Sequence, residues 1–180
     1  MQNGVTTKTK TYEMVQIALM IALTCLITMF VKIPSKVGYT HAGDSMIFLA
    51  AILFGKKKGA FIGAAGMVLA DVLSGYAIWA PATLIIKAVM VYIAASIAYR
   101  GDYNGENFKN NLIAFIIAGV WMVVGYYLAN VLLTKYFFVP TATIKESFII
   151  GLVEIPGYIV QAVVGIFIAL PLMKKLKKIM

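Results

Sequence analysis

Long apolar runs alternate with short polar breaks along this chain, at a spacing that suits a lipid bilayer. Residues 1–13 are polar and carry Lys8, Lys10 and Glu13. Apolar residues then run from Met14 to Val31, which is longer than a signal-peptide core, and no small-residue cleavage pattern follows, so the run reads as a mature helix. The second run, Asp44 to Gly55, is short. As a helix it rises only ~18 Å, and it can cross a bilayer only if protein covers its outer end. The segment Gly55-Lys56-Lys57-Lys58-Gly59 predicts a chain reversal. Further runs cover 60–76, 82–99, 112–134 and 147–173. These six spans predict an all-α integral membrane protein, a six-helix bundle, with residues 1–180 forming one domain and no internal repeat.

Composition supports a membrane protein. Of 180 residues, 62% are hydrophobic and 13% charged, against roughly half and a quarter in soluble domains. That excludes a disordered chain, a disulfide scaffold and an ordinary soluble enzyme. The net charge of +9 is distributed unevenly. With six spans, one side takes Lys8, Lys10, the three turn lysines, Arg100, Lys109 and the tail lysines 174, 175, 177 and 178. The other side takes only Lys32, Lys36, Lys135 and Lys145, and Lys87 lies inside the fourth span. The positive-inside rule places both termini in the cytoplasm. Lysines that flank apolar runs are membrane-flanking charge, so nucleic acid is not an expected partner. Cys25 is a lone thiol in an apolar run, and one histidine with scattered acids gives no metal-ligand spacing.

Two small-residue patterns stand out. Gly59, Gly63, Gly66, Ala70 and Ser74 line one face of the third span, as a helix-packing stripe would. Ala18 and Ala22 sit one turn apart in the first span. They suit packing within the chain or a docking face for another subunit.

The informative residues are polar groups inside apolar spans, which cost several kcal/mol (roughly) unless paired or facing a wet cavity. Asp71 and Lys87 each lie about 7–8 Å below the outer boundary of neighbouring spans, so an Asp71–Lys87 pair is expected. Asp44 opens the short span, Asn130 lies near the outer end of the fifth, and Glu154 lies about 10 Å into the sixth. The five groups collect in the outer half, which predicts a pocket open to the outside. On the sixth span Gly151, Glu154, Tyr158, Gln161 and Gly165 share one face, with a kink expected at Pro156-Gly157. Tyr158 and Gln161 suit either ligand contact or interhelical hydrogen bonding. Tyr39, Trp79, Tyr126 and Tyr127 supply rings near this layer, either as interfacial anchors or as stacking partners for a flat ligand. His41 precedes Asp44 in a loop that abuts the layer. No nucleophile–base set and no phosphate-cradling loop appears, so no catalytic residue, bound cofactor or ATP site is expected.

The series Gly38-Tyr39-Thr40-His41-Ala42-Gly43-Asp44, Phe54-Gly55-Lys56-Lys57-Lys58-Gly59-Ala60, Ala70-Asp71-Val72-Leu73-Ser74-Gly75-Tyr76, Trp79-Ala80-Pro81 and Ile85-Ile86-Lys87 resembles the substrate-binding S components of energy-coupling factor (ECF) vitamin transporters. It is most similar to the branch grouped with riboflavin, pyridoxine and hydroxymethylpyrimidine carriers, over essentially the whole chain. The resemblance implies a six-helix bundle in a bacterial plasma membrane. It implies a vitamin bound from outside, a transmembrane T component and two cytoplasmic ATPase subunits that use the ATP. It turns Ala18 and Ala22 toward the docking reading. It implies a pocket built from the first outer loop and the outer parts of helices four to six, which takes in Tyr39, His41, Trp79, Lys87, Tyr126, Asn130, Glu154, Tyr158 and Gln161. Asp44 and Asp71 match the motif as structural or ligand-linked acids. Pyridoxine or hydroxymethylpyrimidine is the expected substrate, with riboflavin or another vitamin as alternative. A self-sufficient proton-coupled carrier is the alternative class.

Overall fold

A computed structural model of the chain describes residues 2–34 and 39–176, with side chains from Lys10 onward. Lys36, Gly38, Lys177, Lys178 and the side chain of Lys8 lie outside the described residues. Helix α1 spans Gln2–Phe30, followed by strands β1 (Lys32–Pro34) and β2 (Tyr39–His41). Helix α2 covers Asp44–Leu73, and a 3-10 turn at Ala77–Trp79 leads into α3 (Ala80–Ala98). Helix α4 (Phe108–Leu133) ends in a π-helical turn at Thr134–Phe138, and α5 (Ile144–Leu152) and α6 (Ile155–Leu176) complete the chain.

Helix α2 is two arms folded back on one another. The reversal falls at Gly55, whose φ of 69° with ψ of −165° suits glycine alone. The first arm is the short apolar run, and every residue from Asp44 to Ile52 is buried. Its predicted need for protein cover is met on all sides, by the second arm of α2, by α3, by α6 and by a stack of Phe48 on Phe115 of α4 with centroids 4.4 Å apart. The small-residue stripe makes this close packing possible. A Cβ on Gly59 would meet the Ala50 carbonyl oxygen at 2.6 Å, and one on Gly63 would meet Ile47 and Val91 at 2.9 Å. Gly66 turns instead toward α1, where Thr24 leaves the same lack of room.

Among the described residues, four stretches are long and apolar enough to cross a membrane: Lys10–Phe30, Ala77–Ala98, Phe108–Phe138 and Ile155–Leu176. Their outward faces expose Leu19, Ile85, Val120 and Phe167, as lipid-facing positions would. The chain is therefore a mostly helical membrane protein with several apolar helices.

Two expectations are corrected. The fold is not wholly helical: β1 and β2 form an antiparallel ribbon pairing Lys32 with His41, Ile33 with Thr40 and Pro34 with Tyr39. Strands of three residues are too short to leave an alternation in the sequence. The run 147–173 is not one helix either. It breaks at Val153 and Glu154 into α5 and α6. Pro156 then falls in the first turn of α6, where its missing N–H costs nothing. The bend thus precedes the Pro156-Gly157 pair.

Filling the seam between the two arms of α2 tests this packing. Gly59→Val must displace backbone, and a loss of about 1–3 kcal/mol or more is expected, read as a lower thermal midpoint in detergent. Phe61→Val, at an exposed position on the same arm, serves as the control for placing valine in that helix.

Candidate functional site

The ribbon end of the bundle holds a small, half-open cavity. It is lined by Tyr39 and His41 from β2, Asp71 from α2, Trp79 from the 3-10 turn, Thr83 from α3, Tyr126 from α4, and Tyr158 and Gln161 from α6. Its volume is about 30 Å³, room for water but not for a ring compound.

Rings make the walls. Tyr126 stacks on Tyr158 with centroids 5.6 Å apart, and Trp79 sits 6.1 Å from Tyr126 and 6.3 Å from Phe138. On the ribbon side Tyr39 lies 4.7 Å from Tyr76 and 5.4 Å from His41. The Lys32 ammonium stands 4.9 Å from the centre of the Tyr39 ring and donates to Ser74 Oγ at 2.9 Å.

A buried ion pair makes the floor. Lys87 and Asp44 are both fully buried, and the Lys87 ammonium donates to Asp44 Oδ1. Gln161 Nε2 donates to Asp44 Oδ2 at 2.9 Å. Lys87 also lies 5.1 Å from the centre of the Tyr126 ring, a cation–π contact that adds to its compensation. The expected Asp71–Lys87 pair is therefore not formed. The reason is that Asp44 opens an arm enclosed by the bundle, which carries it inward to the Lys87 level. Asp71 takes a different partner, and its Oδ1 accepts from the Tyr39 hydroxyl at 2.5 Å.

His41 is 8% exposed, and its Nδ1 accepts the Gly43 N–H at 3.1 Å. Burial drives its pKa down to about 3, with Asp44 opposing and Lys87 and Lys32 reinforcing the shift. The ring is neutral at physiological pH, and with Nδ1 accepting, its proton sits on Nε2.

A second polar relay stands behind the aromatic wall. Thr134 donates to Asn130 Oδ1 at 3.1 Å, and Asn130 Nδ2 donates to the Tyr158 hydroxyl at 3.2 Å. That leaves the Tyr158 hydrogen to be given elsewhere.

Residues 8–178 match the family described as ECF-type riboflavin transporter, S component. The chain belongs to this family. It is thereby a substrate-binding S component of an ECF transporter, a transport subunit and not an enzyme. A relative from Pyrococcus woesei, described as an uncharacterized protein in gap 3' region, is 37% identical over 143 residues, 78% of this chain and 85% of its own. A solved structure described as the S component of a bacterial ECF transporter aligns with a TM-score of 0.70 over 94% of this chain and 98% of that one. At 20% identity it shows a shared fold.

In this S component the cavity brings together six of the residues anticipated as pocket-forming or acid partners on both sides of the bundle: Tyr39, His41, Asp71, Trp79, Tyr126 and Tyr158, with Gln161 as a seventh. Lys87, Asp44 and Asn130 stand one layer behind and hold lining residues in place. Glu154 shares the buried face of Tyr158 but lies at the α5–α6 junction, outside the lining. Tyr127 also faces elsewhere, donating to the Phe148 carbonyl of α5 at 3.3 Å. Thr83 was not anticipated. It accepts from the Tyr126 hydroxyl at 3.2 Å, and its position one helical turn before Lys87 is the signal that marks it.

Breaking the floor separates pairing from mere burial. Lys87→Met strands Asp44 and is expected to cost about 3–5 kcal/mol. Adding Asp44→Asn, which keeps an acceptor for Gln161, is expected to recover most of that loss. Thermal unfolding of the single and double variants in detergent checks both.

Proposed function

We propose that this S component captures a small hydroxymethylated aromatic heterocycle, pyridoxine or hydroxymethylpyrimidine, and passes it inward with a T component and two ATPase subunits. The carrying observation is the cavity itself. Rings wall it, polar side chains from β2, α2, α3, α4 and α6 line it, and its free volume is only about 30 Å³. A ligand enters by displacing side chains, and a single ring displaces far fewer than a tricyclic one. Drug-sized ligands occupy roughly 300–1,000 Å³, so a large ligand would demand rebuilding of the whole aromatic wall. Riboflavin is the second reading, and the description of the family favours it.

The same reading takes the two arms of α2 as crossings beside the four longer stretches. That gives six crossings, with both termini and the triple-lysine turn in the cytoplasm and the cavity facing out across the plasma membrane. The basic residues, which crowd the side of the triple-lysine turn, support this orientation. Ala18 and Ala22 support docking of the T component on α1. Both are exposed, while Thr24, Cys25 and Thr28 face the bundle.

Three experiments test the proposal. Titration of purified protein with pyridoxine, hydroxymethylpyrimidine and riboflavin should give tight binding of one of the first two, and mass spectrometry of co-purifying small molecules should find it. Tight binding of riboflavin alone selects the second reading. For docking, Ala18→Leu with Ala22→Leu should leave ligand affinity unchanged and abolish co-purification with T component and ATPases, because bulk prevents close helix approach. Normal assembly of that variant refutes the docking face.

A further inference from the structure

Each polar group around the cavity can be sorted by what it has already spent. Asp71 is 94% buried by its 6% exposure, and its Oδ1 accepts from Tyr39. Its Oδ2 is buried without a hydrogen-bond partner, although the Thr83 hydroxyl lies near enough to act on the carboxyl. A buried carboxylate oxygen without a partner is expensive and calls for an occupant. The nearby cations do not supply one. Lys87 is committed to Asp44, and Lys32 is committed to Ser74 and the faces of Tyr39 and Tyr76. Gln161 has spent its nitrogen on Asp44. An ionised carboxylate only accepts, so the amide must present Nε2 to it and keep Oε1 for the cavity. His41 has spent Nδ1 on Gly43, and Tyr158 has spent its acceptor side on Asn130. What remains for a ligand includes two acceptors, Asp71 Oδ2 and Gln161 Oε1, and three donors, His41 Nε2–H, the Tyr158 hydroxyl and the Thr83 hydroxyl, which accepts from Tyr126 and keeps its own hydrogen.

We infer that the ligand is a heteroaromatic ring carrying an amino group or a protonated ring nitrogen, which donates to Asp71. This rests on the single-ring reading above and narrows it. A neutral alcohol satisfies Gln161 adequately, but a charge-assisted bond from nitrogen best repays the uncompensated Asp71. The ring's acceptor nitrogen suits His41 or Tyr158, and a hydroxymethyl group suits Gln161. Asp71 is thus the residue that selects aminated rings over ring alcohols of the same size.

The test compares amino-hydroxymethylpyrimidine with its desamino analogue and with pyridoxine, on wild-type protein and on Asp71→Asn, by calorimetric titration in detergent. In wild type, removal of the amino group should weaken binding about tenfold to a hundredfold. In Asp71→Asn the amino compound should lose most of that advantage, while the desamino analogue should bind within a few-fold of its wild-type affinity. Equal binding of the amino and desamino compounds to wild type overturns the assignment, and that arm needs no variant to fold. Pyridoxine binding as tightly as the aminopyrimidine, and unchanged by Asp71→Asn, overturns it while leaving the single-ring reading standing. Binding of none of the three overturns both.

Discussion

The structure depends on placing one lysine charge inside an apolar bundle. Lys87 cannot stay ionised there alone, because desolvation far exceeds what a lone group can recover. Asp44 must therefore reach it, and Asp44 is the first residue of α2. That requirement sets the depth of the whole short arm. It pulls the chain entering α2 inward and fixes β2 above the pair. Tyr39 thereby stands over Asp71, and His41 is pinned by the Gly43 N–H. It also forces α6 close. A Cβ on Gly165 would meet Asp44 Cβ at 2.8 Å, so a glycine is needed where the two backbones pass.

The same pair divides the bundle into two chemistries. On the ribbon side lie the polar lining and its supporting relay. On the other side Phe48, Phe115, Met90, Ala94 and Ala118 fill the interior with no exposure. Under the proposed function, a ligand held above the pair would meet packed hydrocarbon below it. This division fits a subunit that binds at one end and relies on others for the rest of the journey. It does not fit a carrier with a polar path of its own, since such a path needs ionisable or hydrated groups at successive depths.

Much of this was readable from the chain. Spacing of apolar runs located the helices, because the 3.6-residue period and bilayer length leave few alternatives. The collection of costly polar groups marked the end of the bundle where the polar-lined cavity lies, because each such group needs a reason to be there. Pairing was less legible. Asp71 and Lys87 sit at matching depths on consecutive segments, yet Lys87 chose Asp44, 43 residues away. Matching depth says nothing about which way an enclosed arm carries its first residue. Glu154 looked equivalent to Tyr158 and Gln161 by helical spacing, but spacing assumes an unbroken helix. The face itself survives the break at Val153 and Glu154, since Gly151, Glu154, Tyr158, Gln161 and Gly165 are all buried, but Glu154 falls outside the cavity lining. Thr83 lay within reach of the same spacing argument and was passed over because a threonine in a span costs little.

An ion pair of this kind is a poor source of stability, since an apolar replacement of equal volume is often as good or better. Its value here lies in direction. With an apolar floor, Gln161 would be free to offer either end of its amide to the cavity. With Asp44 ionised by Lys87, only the nitrogen can face the floor, and the oxygen is left for the ligand. In the proposed reading the pair never touches the ligand, yet it sets which hydrogen-bonding groups the cavity offers. Asn130 acts on Tyr158 in the same way from the opposite wall, taking up its oxygen's acceptor role and leaving its hydrogen to be given. Specificity is written one layer behind the surface that reads it.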